Sequence, residues 1–188
     1  MKLSAVVLIA GLLPVAAVVA DEAMQVNIDE GKGIIKAFMG DLKGELQKGM
    51  KQGGPVNAIK VCNTMAPQLA EAHSQMSGWQ VARTSLKLRN PKNAPDAWET
   101  AVLNEFESRK AAGEDPMSLV KAEVVEEDGR QVFRMMKAIP TAEVCTKCHG
   151  VDIAEPVAAK LDKLYPDDRA RGFKVGDLRG AFTLKKPL

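Results

Sequence analysis

The sequence predicts an α+β domain with an antiparallel sheet flanked by helices, one of them a long N-terminal helix. Three observations carry this. Apolar residues recur at helical spacing over residues 24–52, they recur at period two from Trp79 onward, and Asp128-Gly129 joins two strand-like runs as a hairpin. The order, helices first and a run of strands later, suits α+β rather than alternating α/β. At 188 residues one domain is the default.

Over 24–52 the stripe is Ile35, Phe38, Met39, Leu42, Leu46 and Met50. Gly31, Gly33, Gly40, Gly44 and Gly49 weaken this helix intrinsically, so packing must hold it. Gly53-Gly54-Pro55 ends it and opens a second helix to about His73, with Ile59, Cys62, Met65 or Ala66, and Leu69 on one face. Pro67 should kink or break that helix. Next comes a strand whose alternation puts Trp79, Val81, Arg83, Ser85, Lys87 and Arg89 on one face and Ala82, Thr84, Leu86 and Leu88 on the other. After a loop at 90–95, a helix reaches about Ala111, with Trp98, Val102 and Phe106 inward and Ala101 a further inward candidate; Gly113 to Pro116 stop it. Residues 119–126 and 130–139 form the hairpin, and Pro140 ends its second strand. A short helix at 155–164, a turn at Tyr165-Pro166-Asp167-Asp168, and one or two closing strands from Phe173 to Leu184 complete the chain. No internal repeat or low-complexity linker is visible.

Composition is that of a soluble globular protein: 46% hydrophobic and 27% charged, with a net charge of +2 and both signs interspersed, which gives no footing for nucleic acid or an anionic membrane. Aromatics make up only 4%, so aliphatic side chains, and a bound group, must fill the core. Residues 1–20 differ. Lys2, an apolar run from Leu3 to Ala20, small residues and then Asp21-Glu22 read as a secretory signal peptide cut after Ala20, leaving 21–188 as the mature domain in the periplasm. The competing reading is an uncleaved anchor, but the run falls short of the ~20 residues a spanning helix needs, and Pro14 interrupts it.

Export bears on the three cysteines, Cys62, Cys145 and Cys148, since free thiols rarely persist in oxidising compartments. Cys145-Thr146-Lys147-Cys148-His149 is the attachment signature of a c-type haem: two thiols at i, i+3 form thioethers, and the next residue offers an imidazole to iron. One haem c is expected, with Cys145 and Cys148 covalent and His149 axial. A thioredoxin-like dithiol would need a βαβ setting, which Pro140 and Gly150 do not favour. A zinc site from Cys62, Cys145, Cys148 and His149 would need two adjacent residues at two corners of a tetrahedron. For the second axial position residue chemistry leaves Cys62, His73, a methionine or an open site in play. The basic strand face of Arg83, Lys87 and Arg89 is a candidate for haem propionates, with an ordinary solvated face as the alternative.

Several motifs occur together and in order: Ala58 to Cys62 with Ala66-Pro67, Gly78 to Ser85, Arg89 to Asn93, Trp98-Glu99, Cys145 to Gly150, Tyr165-Pro166, and Gly176 to Phe182. Together they resemble a family of exported PAS-like c-type haem domains, formerly a domain of unknown function, whose prototype is a cyanobacterial protein with His/Cys haem ligation. The resemblance covers nearly all the mature chain. It implies a PAS-like sheet, His149 and Cys62 as the two axial ligands, and Arg83 as the favoured propionate contact.

A thiolate ligand favours ferric iron and lowers the reduction potential. Loss of Cys62 on reduction would open a site for CO, NO or another small ligand and free the helix that bears it. The expected function is therefore redox or small-ligand sensing through a separate signalling partner, because no output module follows before Leu188. A periplasmic single-electron carrier working with a redox partner protein is the alternative. An enzyme is not expected: six-coordination leaves no substrate position, and no distal acid/base pair is visible.

Overall fold

A computed structural model describes residues 15–188, with side chains from Asp21 onward, so residues 1–14 of the expected leader lie outside the described residues. The elements run α1 (Val15–Lys60), a π-helical turn (Val61–Met65), α2 (Ala66–Ser77), β1 (Gln80–Thr84), α3 (Ala97–Ala111), β2 (Val120–Glu127), β3 (Arg130–Pro140), α4 (Glu143–His149), α5 (Glu155–Leu164) and β4 (Leu178–Pro187). The strands form one antiparallel sheet in the order β1-β4-β3-β2. The α+β class and the antiparallel sheet flanked by helices are those the sequence predicts. Among the described residues no helix is long and apolar enough to cross a membrane.

α1 is long, and it breaks where the glycine pair predicts. Gly54 adopts φ 66°, which an L side chain tolerates poorly, and Pro55 opens the next turns. Pro67 acts as expected, through a specific geometry. A proline has no N–H and its ring crowds the carbonyl four residues back, so the chain widens into a π-turn over Val61–Met65 before α2 begins. The backbone N–H of Ala66 reaches Val61 O, five residues back. Cys62 sits on this turn.

Each face of the sheet carries its own core. On one, Val81, Phe133, Met135, Phe182 and Leu184 meet Ile35 and Phe38 of α1 together with Trp79. The Trp79 indole N–H donates to Glu30 Oε1 at 3.0 Å, which satisfies the polar end of a buried ring and ties α1 to the start of β1. On the other face, Met136, Ala138 and Ala181 pack against Val102, Leu103 and Phe106 of α3. Leu103 takes the inward position for which Ala101 was a candidate; Ala101 is exposed. α3 is fixed at its start by a capping box, Glu99 N–H to Asp96 Oδ1 at 2.8 Å and Asp96 N–H to Glu99 Oε2 at 3.0 Å.

The hairpin is a tight two-residue turn with positive φ at both Asp128 (52°) and Gly129 (73°), matching the right-handed twist of β2 and β3. Two expectations need correction. The period-two run does not remain a strand to Arg89: β1 stops at Thr84 because the Ser85 hydroxyl takes over backbone partners, accepting from Lys87 N–H and donating to Arg179 O at 2.8 Å. Ser85, Lys87 and Arg89 therefore share no strand face with Arg83. At the other end, a single closing strand begins only at Leu178, after an irregular stretch in which Gly172 and Gly176 have positive φ.

β3 and β4 fall out of step once. Ile139 pairs with Gly180 and Pro140 with Leu178, which leaves Arg179 as the extra residue of a bulge. Pro140 is tolerated at such a position. Gly180 has φ 155°, and a Cβ there would lie 2.2 Å from Thr84 O. Gly180→Ala is expected to destabilise the fold by about 3 kcal/mol or more, measured by urea denaturation, since both conformation and space oppose the methyl group. A midpoint unchanged from wild type would contradict this account of the bulge.

Candidate functional site

The cysteine–histidine motif lies on α4, a short helix that follows β3 directly. It faces a cavity of about 1210 Å³, open mouth included, bounded by α1, the π-turn, β1, the bulge and α5. This cavity gathers Cys145, Cys148 and His149 with Cys62 from 83 residues before Cys145, and with Arg83. No disulfide joins the cysteines. Among the described residues no three His, Cys, Asp or Glu side chains converge on one point as metal ligands would. The donors are instead spread around the cavity wall. Among the described residues every strand pairing is antiparallel, and the motif follows β3 without a βαβ unit around it.

The apolar wall comes from the second half of the α1 stripe. Ile35 and Phe38 are spent on the sheet, whereas Leu42, Leu46 and Met50 are half-buried and line the cavity with Ile59 and Ile139. Met39 points to solvent. His73 is elsewhere: buried against Phe38, it pairs through Nε2 with Asp41 at 2.9 Å and does not line the cavity. Of the methionines weighed as ligands, Met50 reaches the lining; Met135 and Met136 are in the sheet cores.

His149 is oriented by its neighbours. Its Nδ1–H donates to Ala170 O at 2.8 Å, because a carbonyl can only accept, and this tautomer leaves Nε2 unprotonated, with Arg89 Nη1 3.5 Å from it. A ring N–H held by a carbonyl is how metal-binding imidazoles are commonly fixed. Burial first, and then the cations of Arg179 and Arg89, push the imidazole pKa down to about 3 against the opposing Ala170 carbonyl and Asp168. The ring is therefore neutral at physiological pH, the state a metal requires.

Arg89 does not serve the basic face it was read with. It is 7% exposed and makes a two-point ion pair with Asp168, Nε to Oδ1 at 3.1 Å and Nη2 to Oδ2 at 3.0 Å. The same Nη2 donates to Cys148 O at 2.6 Å and Ala170 O at 3.1 Å. It thus clamps the motif to the 168–170 turn. Burial raises the Asp168 pKa, but Arg89, Arg171 and the Ala170 N–H outweigh it and hold the carboxyl below its usual range. Lys87 lies outside the cavity, its ammonium 5.2 Å from the centre of the Phe173 ring. Arg83 alone of the three basic candidates points into the cavity without a partner: among the described residues it has no ion pair or side-chain hydrogen bond. Burial lowers its pKa, with Cys62 and Tyr165 acting the other way. The Cys148 thiol is raised, first by burial and then by the nearness of Cys62 and Cys145.

Sequence reasoning missed Arg179, Asp168 and the carbonyl of Ala170. Asp168 was read only as part of a turn, and no spacing rule links it to residue 89.

A family model matches residues 14–187, that of the Tll0287-like proteins. The chain belongs to the Tll0287-like family. It is also similar to the crystal structure of the cyanobacterial heme-protein Tll0287, with a TM-score of 0.66 and 25% sequence identity, over 86% of this chain and 94% of that one. No curated protein matches the chain. The family resemblance drawn from the linked motifs is thus the family found, and the PAS-like α+β fold goes with it.

Two outcomes follow from the charges around the motif. Arg89→Met leaves Asp168 buried without its main partner and is expected to cost about 3–5 kcal/mol in urea unfolding; a loss below about 1 kcal/mol, the level of an exposed pair, would refute the clamp. With Nε2 free of metal, the folded chain binds a His149 proton less readily than the unfolded chain does. Stability is then complete above the ordinary value of 6.5 and is lost as pH falls from there towards about 3. His149→Phe should flatten that part of the profile.

Proposed function

We propose that this chain is an exported, non-enzymatic protein that carries one haem c, bound through Cys145 and Cys148 with His149 and Cys62 as axial ligands, and that works in redox or small-ligand sensing. The observation that carries the proposal is the convergence of these four residues on one cavity. The residues present fit such a group. Two thiols at i, i+3 face the cavity beside an imidazole whose Nε2 carries no proton. The apolar α1 wall suits a macrocycle, and the unpaired Arg83 suits a propionate carboxylate. Similarity to a protein described as a heme-protein adds to this reading.

A haem held there supplies a one-electron iron couple. Cys62 as a thiolate is an anionic donor that favours the oxidised state; on taking a proton at Sγ it becomes a far weaker ligand. The side chain can leave because its backbone is a π-turn forced by Pro67 rather than a regular α-helical turn. His149 does not share this freedom, since the Ala170 carbonyl fixes its ring and Arg89 fixes its backbone neighbour. With Sγ withdrawn, the Cys62 side of the cavity would have room for a small neutral ligand such as CO or NO. Export and a periplasmic location rest on the leader-like residues 1–20, and the signal passes to a separate partner protein. Electron carriage is the second reading; the open mouth favours it, where Val144, beside Cys145, is exposed.

Ferric optical and EPR spectra of wild type and Cys62→Ser test the ligation. Wild type is expected to show a low-spin thiolate signature that Cys62→Ser loses while its haem stays covalently attached. An identical ferric spectrum in the variant would remove Cys62 from the site. Binding of CO by the reduced wild type supports sensing, whereas unchanged ligands in both oxidation states and rejection of CO favour the carrier.

A further inference from the structure

Three guanidinium groups line the cavity, from Arg83, Arg89 and Arg179. The acid nearest them, Asp168, is taken by Arg89 and by Arg171, which reaches it at 2.9 Å. Arg179 has no carboxylate partner among the described residues. It is nevertheless firmly placed. Its Nη1 donates to Ser85 Oγ at 3.0 Å and to Lys87 O at 3.3 Å, and its guanidinium lies 5.5 Å from the centre of the Phe173 ring. Phe173 in turn packs edge-on to His149, ring centres 6.2 Å apart.

The contact with His149 decides what this cation does. Arg179 Nε is 3.1 Å from Nδ1 and 3.5 Å from Nε2. Near-equal distances to both ring nitrogens place the guanidinium over the face of the imidazole. An in-plane hydrogen bond is excluded in any case, since Nδ1 already spends its proton on Ala170 O. An N–H seated on the ring face in this way restricts rotation of the ring, and at the ring edge Arg89 Nη1 stands 3.5 Å from Nε2. The backbone is shaped for it: Arg179 is the extra residue of the β3–β4 bulge, and bulges re-aim side chains.

We infer that Arg179 is a positioning residue for the His149 imidazole and that its uncompensated charge raises the reduction potential of the bound haem, opposing the Cys62 thiolate. The inference rests on the ligation proposed above. Adding an electron makes the iron site less positive, so a fixed positive charge against one ligand favours the reduced state, and the low-dielectric surroundings strengthen the effect. Arg83 would play a different part, because the carboxylates of a bound haem would supply its counter-ion. Arg89 is neutralised by Asp168. Arg179 is thus the cation left to act on the iron through its ligand.

The test uses full-length haem-loaded wild type, R179Q and R179K. Haem content and the ferric EPR spectrum are recorded first, followed by the midpoint potential. R179Q is expected to keep the thiolate signature, to broaden the EPR lines as the imidazole gains freedom, and to shift the midpoint to a more negative value. R179K, which keeps the charge but not the Nε–H held against the ring, should broaden the lines with a midpoint close to that of wild type. An R179Q midpoint equal to wild type overturns the inference, and so does an R179K midpoint displaced as far as that of R179Q. Should R179Q fail to hold haem, R179K decides alone: a clear negative shift, or unbroadened lines, overturns it. Wild-type protein without haem or without the thiolate signature overturns the ligation reading itself, and this inference with it.

Discussion

The Arg89–Asp168 ion pair is the interaction on which the motif end of the molecule depends. Both side chains are nearly excluded from water, at 7% and 3% exposure, so their mutual attraction must offset a large desolvation cost. It does so because the remaining hydrogen-bonding capacity is used. Arg89 also holds the carbonyls of Cys148 and Ala170, and Asp168 also receives Arg171 and the Ala170 N–H. The result joins three stretches that no helix or strand connects: the segment after β1, the end of α4 and the turn after α5. The Arg169 N–H to Leu88 O bond at 2.8 Å closes the same joint from the backbone side. His149 inherits its orientation from this joint, since its Nδ1 partner is one of the carbonyls so fixed.

Much of the fold was legible because its signals are local. Asp128-Gly129 fixes the hairpin by turn geometry alone, and Gly54 breaks the helix for the same kind of reason. Pro67 announced a distortion without saying which one. The alternation from Trp79 to Arg89 misled because periodicity shows which residues could share a face, not whether backbone partners exist for them. At Ser85 a hydroxyl competes for those partners, and the strand ends. The motif and Cys62 could be named from chemistry and resemblance. Arg89 could not be assigned to its clamp, because its partner stands 79 positions away. Arg179 carried no signal of its own beyond membership of a shared motif.

The α1 stripe shows a related limit. Ile35 and Leu46 obey the same helical spacing, yet one is buried against the sheet and the other is half-buried and lines the cavity. Periodicity identifies an apolar face and is silent about what covers it. The low aromatic content was the better hint: the protein's own side chains leave a gap for another group to fill. The cavity is accordingly two-sided in character, aliphatic where α1 passes over it and cationic where β1, the bulge and the 88–90 segment meet it.

The position of β4 carries a consequence for the order of folding. The last strand in the sequence is an inner strand of the sheet, hydrogen-bonded to β1 on one side and β3 on the other. A chain emerging from its N-terminus can form α1, α2 and the β2–β3 hairpin early, but β1 has no neighbour in the sheet until residues 178–187 arrive. The same late strand brings Arg179 to His149. Cys145 and Cys148 therefore precede in the chain the strand that closes the sheet behind them. Closure of the sheet is then the step that walls off the cavity they line.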